Sequence, residues 1–459
     1  MASTAMTREP LGFGWFGIIR IGAVQASIGA IVMLTTSLLN RVMVVEYGLV
    51  AAIPAGLVAW HYAVQLSRPI WGHGSDKGRA RTPWVIGGIS VLVLGALMAV
   101  NATIMMDHYF TGGLILAIVA FTFIGIGVGA GGTTVLALLA SGVRKERRAA
   151  AAATTWIMMV SGIVVSAGIT SQVLDPFSEQ RLALVASGVA GCAFLLAILA
   201  MWGLEKQSLP VGYQRESEPA PDFREALKEI WEEKAARRFT AFIFVSMLAY
   251  SMQDLILEPF AGLVFGMTPG ESTGLAGIQH GGVLLGMIVT GIGGSAFGGR
   301  LPSELRYWIV AGCLGSGLAL VGLVMAAANG PGWPLKANVF ALGFCNGAFA
   351  VAAIGAMMGL AGSGKRTREG VRMGVWGAAQ AIAFGLGGLL GALGVDIARQ
   401  AQSQDAAAFQ TIFAAEAVAF VLAAILAVRA TSKALTTDSA DPHQTQEPPI
   451  EPQTEVAKA

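Results

Sequence analysis

Charge is scarce in this chain. Only 13% of its 459 residues are Asp, Glu, Lys or Arg, about half the roughly 25% of a soluble domain. Cysteine is scarcer: Cys192, Cys313 and Cys345 each fall inside an apolar run. An odd count without metal-ligand spacing argues against a disulfide framework and against a structural metal site, so the three read as small buried hydrophobes. The net charge is only +2, and nothing in its distribution supports nucleic-acid binding. There is no phosphate-binding loop and no nucleophile elbow. Glycine strings such as Gly125-Ile-Gly-Val-Gly129 lie within apolar runs, where helix packing explains them better. The chain therefore reads as a non-enzyme with no metal and no covalently held cofactor of its own. The polar stretch Met1 to Pro10 lacks the charged, apolar, small-residue order of a cleaved signal, and none is expected.

What is abundant is apolar sequence: 54% of residues are hydrophobic and mean hydropathy is +0.65. A membrane helix needs about 20 mostly apolar residues. Twelve runs qualify, near 15–40, 47–67, 84–104, 112–140, 149–171, 181–203, 239–261, 275–297, 307–328, 336–361, 371–395 and 408–429. The 60 glycines fit a bundle in lipid, where small residues let helices approach closely. Cytoplasmic loops collect Lys and Arg. With the N-terminus cytoplasmic, 26 of the 30 basic residues fall on the inner side, and only Arg41, Arg181, Lys336 and Arg399 fall outside. Both termini are then cytoplasmic, in a multi-pass membrane protein.

The longest polar stretch between runs, 204–238, divides the chain. It holds Pro210, Pro219 and Pro221, then a short amphipathic helix from Phe223 at the inner surface. The expected organisation is a six-helix half at 1–203, this linker, a second six-helix half at 239–430, and a disordered tail at 431–459. The halves echo each other. Asn40-Arg-Val-Met-Val-Val-Glu46 recurs loosely as Gln253-Asp-Leu-Ile-Leu-Glu258, and Trp84-Val-Ile-Gly-Gly as Trp308-Ile-Val-Ala-Gly. Two parallel six-helix repeats are the plan of a major-facilitator transporter, an all-α bundle.

The loop Gly72-His-Gly-Ser-Asp76-Lys77-Gly-Arg79-Ala-Arg81 resembles the major-facilitator signature between helices two and three. Gly72, Asp76, Lys77 and Arg81 match it, and Arg79 stands where a second glycine is expected. In that reading Gly72 permits close packing, Asp76 faces a helix N-terminus, and Arg81 pairs across the halves on the inner side. Longer strings are more specific: Leu39-Asn-Arg-Val-Met-Val-Val-Glu46, Trp60-His61-Tyr-Ala-Val-Gln-Leu-Ser-Arg-Pro69, Arg81-Thr-Pro-Trp84 and Tyr250-Ser-Met-Gln-Asp-Leu-Ile-Leu-Glu-Pro-Phe-Ala-Gly262. Over roughly residues 12–430 the chain resembles the PucC/LhaA family, the bacteriochlorophyll-delivery branch of that superfamily. The resemblance implies an assembly factor for light-harvesting complexes in the bacterial inner (intracytoplasmic) membrane, with bacteriochlorophyll as cargo. Its partners would be antenna polypeptides, membrane lipid and a bacteriochlorophyll synthase. Two other classes stay open: a proton-coupled carrier of a small amphipathic solute, and an accessory subunit of that synthase.

Ionisable or strongly polar groups at membrane depth are costly, so each is a candidate. His61, sharing a helix face with Leu57, Val58 and Val64, can offer a ring nitrogen to the magnesium of a chlorin beside an apolar wall. His280, after Gln279 and before Gly281-Gly282, has space beside its imidazole for the same role. For each, the alternative is a hydrogen bond to a neighbouring helix. Asn40, Arg41, Glu46, Gln253, Asp254 and Glu258 form a candidate polar cluster around the two-fold of the halves. It would hold the bundle in one shape or, in a carrier, couple protons through Asp254 or Glu258. Gln25, Asn346, Gln380 and Glu416 sit on otherwise apolar helices as bridges between them, and Glu416 needs a partner or a proton. Arg20 is near enough to the inner surface to snorkel. Basic runs at 144–148 and 365–368 mark the same surface.

Overall fold

The computed structural model describes residues 12–77, 80–143, 148–205, 232, 234–296, 302–362, 369–402 and 404–431. Among them there is no strand, and twelve helical units follow one another. They are α1 (Trp15–Glu46), α2 (52–77), α3 (Thr82–His108), α4 (Phe110–Gly142), α5 (Arg148–Val173), α6 (Glu179–Met201), α7 (Lys234–Asp254, resumed as Leu257–Phe265), α8 (Pro269–Ala296), α9 (Pro302–Asn329), α10 (Leu335–Gly362), α11 (Glu369–Ala401) and α12 (Asp405–Thr431). At about 1.5 Å per residue these lengths cross a hydrocarbon layer of about 30 Å. Eleven are long and apolar enough to be recognised as spans. The remaining one is α2, whose second part is polar. The chain is a multi-pass membrane protein.

Sequence and structure differ at two places. α1 does not stop near residue 40. It continues to Glu46 through two π-helical stretches, Leu34–Leu38 and Val42–Glu46. α2 is broken by a 3-10 turn at Gln65–Ser67 and resumes as the helix Arg68–Lys77. Gly72, Asp76 and Lys77 are therefore helical rather than in a loop. Their side chains lie outside the described set, as do residues 78–79. So do the basic runs at 144–147 and 365–368, the amphipathic part of the linker and the tail after Thr431.

Two apolar cores match the two halves. One runs from Phe13 to Leu204, the other from Phe239 to Ala430. Leu255 and Ala392 of the second half join the first core. The halves meet where α5 packs on α8 and α2 on α11. Gly277 comes against Ala167 of α5, and Gly385 of α11 against Tyr62 of α2. On α9 the exposed residues Leu314, Leu318, Val321 and Met325 recur every three or four positions, a stripe for lipid. Cys192 departs from its expected burial: it is exposed beside the outward-facing Leu195, Leu196 and Leu199 of α6.

Candidate functional site at the interface of the halves

Polar groups gather where the α1–α2 and α7–α8 connections lie. A π-helical turn is wider than an α turn and is enriched at functional sites. Here two such turns flank Leu39–Arg41 and set Ser37, Asn40, Arg41 and Glu46 against the second half. Asn40 Nδ2 donates to the Leu255 carbonyl at 2.7 Å. The Ser37 hydroxyl donates to Glu258, whose other oxygen accepts from Thr273 Oγ1 at 3.4 Å. Arg41 is 1% exposed. It pairs with Glu46, donates from Nη2 to the Met267 carbonyl at 2.7 Å and from Nε to Ser272 Oγ at 3.1 Å. Two further ties close the same end. Asp396 of α11 accepts from the Ala51 and Ala52 N–H groups at 3.1 and 2.7 Å. Asp175, before α6, accepts from the Gly270 N–H at 3.1 Å and from the Thr268 hydroxyl. A cavity of about 490 Å³ remains at this end, lined by Arg41, Glu46, Asp175, Phe177 and Thr268 among others.

The six residues expected to form one cluster divide in two. Arg41 and Glu46 pair with each other, while Asn40 and Glu258 each tie α1 to the second half. Gln253 and Asp254, just before the turn at 255–256, make no hydrogen bond with them among the described residues. Gln253 is fully buried, and neither its Oε1 nor its Nε2 has a partner. Asp254 Oδ1 is likewise unpartnered. Asp254 lies within electrostatic reach of Glu416 of α12, Tyr250 of α7 and Tyr62 of α2. Glu416 is 0% exposed with both oxygens unpartnered. Asn346 uses its Oδ1 to accept from Ser316 at 2.7 Å, and its Nδ2 is unpartnered.

The two histidines differ in which ring nitrogen is available. His61 is 1% exposed. Arg68 donates to Gln65 Oε1, so the Gln65 amide nitrogen faces His61 and donates to its Nε2 at 2.8 Å. The His61 proton is then on Nδ1, which is buried on the side of the Val58 carbonyl without a well-aligned hydrogen bond. His280 is the same tautomer with the other nitrogen bonded. Its Nδ1 lies 2.9 Å from the Ala276 carbonyl, which can only accept, so Nδ1 carries the proton and the neutral ring keeps a lone pair at Nε2. Nε2 makes no hydrogen bond among the described residues. The residue is partly exposed, on the α8 face of Thr273, Ala276, Leu284 and Met287, away from the exposed stripe of Leu285 and Ile292. The space beside it is at Gly281, where nothing lies within 4 Å. Gly282 leaves none, because it packs on the α10 backbone at Phe340 and Phe344. Gln279 is buried and its backbone abuts Gly343 of α10, so it does not share the His280 face.

Sequence reasoning missed an aromatic path between the halves. His61 and Tyr62 of α2 are 4.7 Å apart between ring centres. Tyr62 meets Phe384 of α11 at 5.9 Å, Phe384 meets Tyr250 at 5.6 Å, and Tyr250 meets Phe349 of α10 at 6.2 Å. Such contacts each add about 0.5–1.5 kcal/mol beyond burial. No sequence spacing links rings on four helices. It also missed Asp107, His108 and Glu179, whose ligand atoms lie within 4.8 Å of one another on the exposed connections of α3 and α6. Beside them the Tyr47 hydroxyl bonds Glu179 at 3.5 Å. Burial, then the charges of Glu179 and Asp107, push that phenol above its ordinary value.

At the opposite end, Arg81 works within the first half. Its backbone N–H and that of Thr82 donate to Glu205 at 2.6 and 3.0 Å, and its guanidinium donates to the Ala137 carbonyl at 2.8 Å. Burial pushes the Glu205 carboxyl up, but the Arg81 and Thr82 N–H groups, the Thr82 hydroxyl and the Arg81 charge outweigh it and hold the group below its usual range. Arg20 caps the end of α6 rather than only reaching for water, donating to the Ala200 and Trp202 carbonyls.

A family model described as PUCC protein matches residues 38–435. The Bacteriochlorophyll synthase 44.5 kDa chain of Rhodobacter capsulatus is 50% identical over 414 residues, 90% of this chain and 95% of that one. Protein PucC of Rhodobacter capsulatus is 29% identical over 434 residues, 90% of this chain and 91% of that one. Among solved structures, a bacterial homologue of the human lysosomal transporter Spinster, inward-facing and unoccupied, has a TM-score of 0.67 at 15% identity, covering 94% of this chain and 100% of its own. The peptide transporter POT gives 0.63 at 14% identity, covering 92% and 97%. These two likenesses establish the fold, a major-facilitator bundle of two six-helix halves. With the family model spanning both halves and half of all positions shared with a Rhodobacter protein along nine-tenths of the chain, this protein belongs to the PucC family.

Proposed function

We propose that this protein is an assembly factor that holds bacteriochlorophyll in the membrane and delivers it to light-harvesting antenna polypeptides. One observation carries the reading: the Ala276 carbonyl fixes the His280 tautomer and leaves Nε2 with a lone pair that no described residue takes up. That is the state an axial ligand to a chlorin magnesium requires. His61 is the weaker candidate, because Gln65 already occupies its Nε2. The aromatic path from Tyr62 to Phe349 crosses from one half to the other and is the kind of flat apolar surface on which a macrocycle would stack. The family and the name of the Rhodobacter relative favour pigment as the cargo. In this reading the end that carries the termini faces the cytoplasm, in keeping with the distribution of Lys and Arg.

The test is absorption spectroscopy of the protein purified in mild detergent from pigment-making and pigment-free cells. Wild type carries bacteriochlorophyll from the first and none from the second. His280→Ala loses most of it and His61→Ala keeps most. Deleting the gene lowers antenna complexes while pigment synthesis continues. Colourless wild-type protein from a pigmented cell refutes the proposal. A second reading, a carrier of an amphipathic solute, is favoured by the ties at the α1–α2 end. They are hydrogen bonds and one ion pair, which can open and reclose. It requires flux into vesicles that stops when that end is cross-linked.

A further inference from the structure

Arg68 of α2 is bound to a neutral group where a cation ordinarily reaches for water. It stands sixteen residues after Ala52, about 24 Å along the helix at about 1.5 Å per residue, and so toward the far edge of an apolar layer of about 30 Å. An arginine at that depth normally extends its head to the water. Arg68 instead folds back across the 3-10 turn Gln65–Ser67 and donates from Nη2 to Oε1 of the buried Gln65. Gly129 of α4 makes room for it: a methyl there would lie 3.8 Å from the Arg68 stem and 3.6 Å from the Trp71 ring. The Trp71 indole N–H is held by Ser67 Oγ at 3.0 Å, which fixes that ring beside the arginine.

The Gln65 bond leaves four of the five guanidinium N–H donors untaken by described residues, and Arg68 is exposed. No described carboxylate pairs with it. The titratable groups in its reach are the Tyr62 hydroxyl and the His61 ring, and neither is an anion at neutral pH. A planar guanidinium fork matches a carboxylate or a phosphate in two parallel hydrogen bonds. The same link reaches His61. Because Arg68 holds Gln65 Oε1, the Gln65 amide N–H faces His61 Nε2 at 2.8 Å and covers the lone pair that a metal needs. An anion that takes the guanidinium away removes the group that orients Gln65.

We infer that Arg68 recognises the carboxylate or phosphate of an amphiphile lying along α2, and that this capture releases Gln65 and uncovers His61 Nε2. The ligand's charge sits at Arg68, and its apolar body runs toward His61, seven residues or about 10 Å deeper. Two sources share this chemistry: a tetrapyrrole with a free propionate, and an acidic lipid headgroup. The site is separate from His280, and its occupant need not be the delivered pigment.

Purified full-length protein distinguishes the two sources. It is titrated with zinc protoporphyrin IX and with its dimethyl ester, which keeps the ring and loses the charge. It is also placed in phosphatidylcholine nanodiscs with and without phosphatidylglycerol. The nitrogen NMR signals of His61, assigned by their loss in His61→Ala, are followed throughout. For a tetrapyrrole, wild type binds the acid about tenfold more tightly than the ester, and the His61 signal moves with the acid. Arg68→Gln brings the acid down to the level of the ester. For a lipid, the two porphyrins bind alike, and phosphatidylglycerol moves the His61 signal in wild type and not in Arg68→Gln. In either case Gln65→Leu moves the signal with no ligand present. Arg68→Lys keeps the charge without the fork and gives a partial loss, which decides the matter if Arg68→Gln does not fold. Indifference of wild type to both anions, a preference that survives Arg68→Gln, or anion binding that leaves the His61 signal in place overturns the inference.

Discussion

The Asn40 amide bonds the Leu255 carbonyl because Pro259 cannot. In a continuous helix that carbonyl would accept from the N–H four residues on, and proline has none. α7 turns there, and the orphaned oxygen is satisfied across the halves at 2.7 Å. Asn40→Ala leaves a buried carbonyl unpaired, at about 1–3 kcal/mol. The expected result is a lower unfolding temperature in detergent and faster thiol labelling of a cysteine placed at Val45, which lines the cavity at that end. Unchanged labelling would show that this bond does not help to keep the end closed.

Arg41 and Glu46 carry an asymmetric prediction. Arg41 is buried, while the Glu46 side chain is 29% exposed. Removing Glu46 strands a buried guanidinium on the Met267 carbonyl and the Ser272 hydroxyl. Removing both leaves no buried charge, only the Met267 carbonyl without its donor. Breaking a buried pair from one side costs about 3–5 kcal/mol, less where one partner reaches water. Glu46→Leu is therefore expected to destabilise more than the double variant Arg41→Leu/Glu46→Leu. A double-mutant cycle on unfolding temperature checks the order, and equal losses would count against it.

Much of this architecture was legible in the sequence, because hydrophobic length reports directly on crossing a membrane. The polar segment near residues 40–46 and the two histidines were visible as groups that lipid would reject. Partnership was not legible. Glu258 and Asp254 are four residues apart, yet Glu258 bonds Ser37 of α1 while Asp254, before the turn at 255–256, keeps a buried oxygen without a partner. Ring-nitrogen availability was also hidden. It depends on Gln65 lying one turn after His61, and on Ala276 offering its carbonyl one turn before His280.

α8 and α10 are zipped by glycines at matching spacing, a pattern the sequence carried unremarked. Gly282 and Gly286 face the α10 backbone at Phe340 and Phe344, while Gly343 and Gly347 face the α8 backbone at Gln279 and Val283. Small residues four apart on both partners let the backbones touch. A methyl group at Gly343 would run into the Gln279 carbonyl, so Gly343→Ala is expected to cost about 1–3 kcal/mol. Gly281→Ala is the control: nothing lies within 4 Å, and replacing a helical glycine by alanine there should be neutral or stabilising by about 0.5–1 kcal/mol. Paired melting curves test the contrast.

Glu205 gives the prediction with a pH sign. It follows α6 and accepts the Arg81 and Thr82 N–H groups and the Thr82 hydroxyl, at 2.6, 3.0 and 2.7 Å, where α3 begins. A helix start leaves several N–H groups unpaired, and losing such a cap costs about 1 kcal/mol. In the folded chain this carboxyl lies below its ordinary 4.5, so its contribution is complete above that value and fades as pH falls through the lower, folded one. Glu205→Gln keeps one acceptor oxygen and loses the charge. It should melt lower than wild type at neutral pH, and the gap should close only in acid, below about pH 4. A gap that widens on acidification, or none at neutral pH, would mean that the Arg81–Glu205 contact does not stabilise the start of α3.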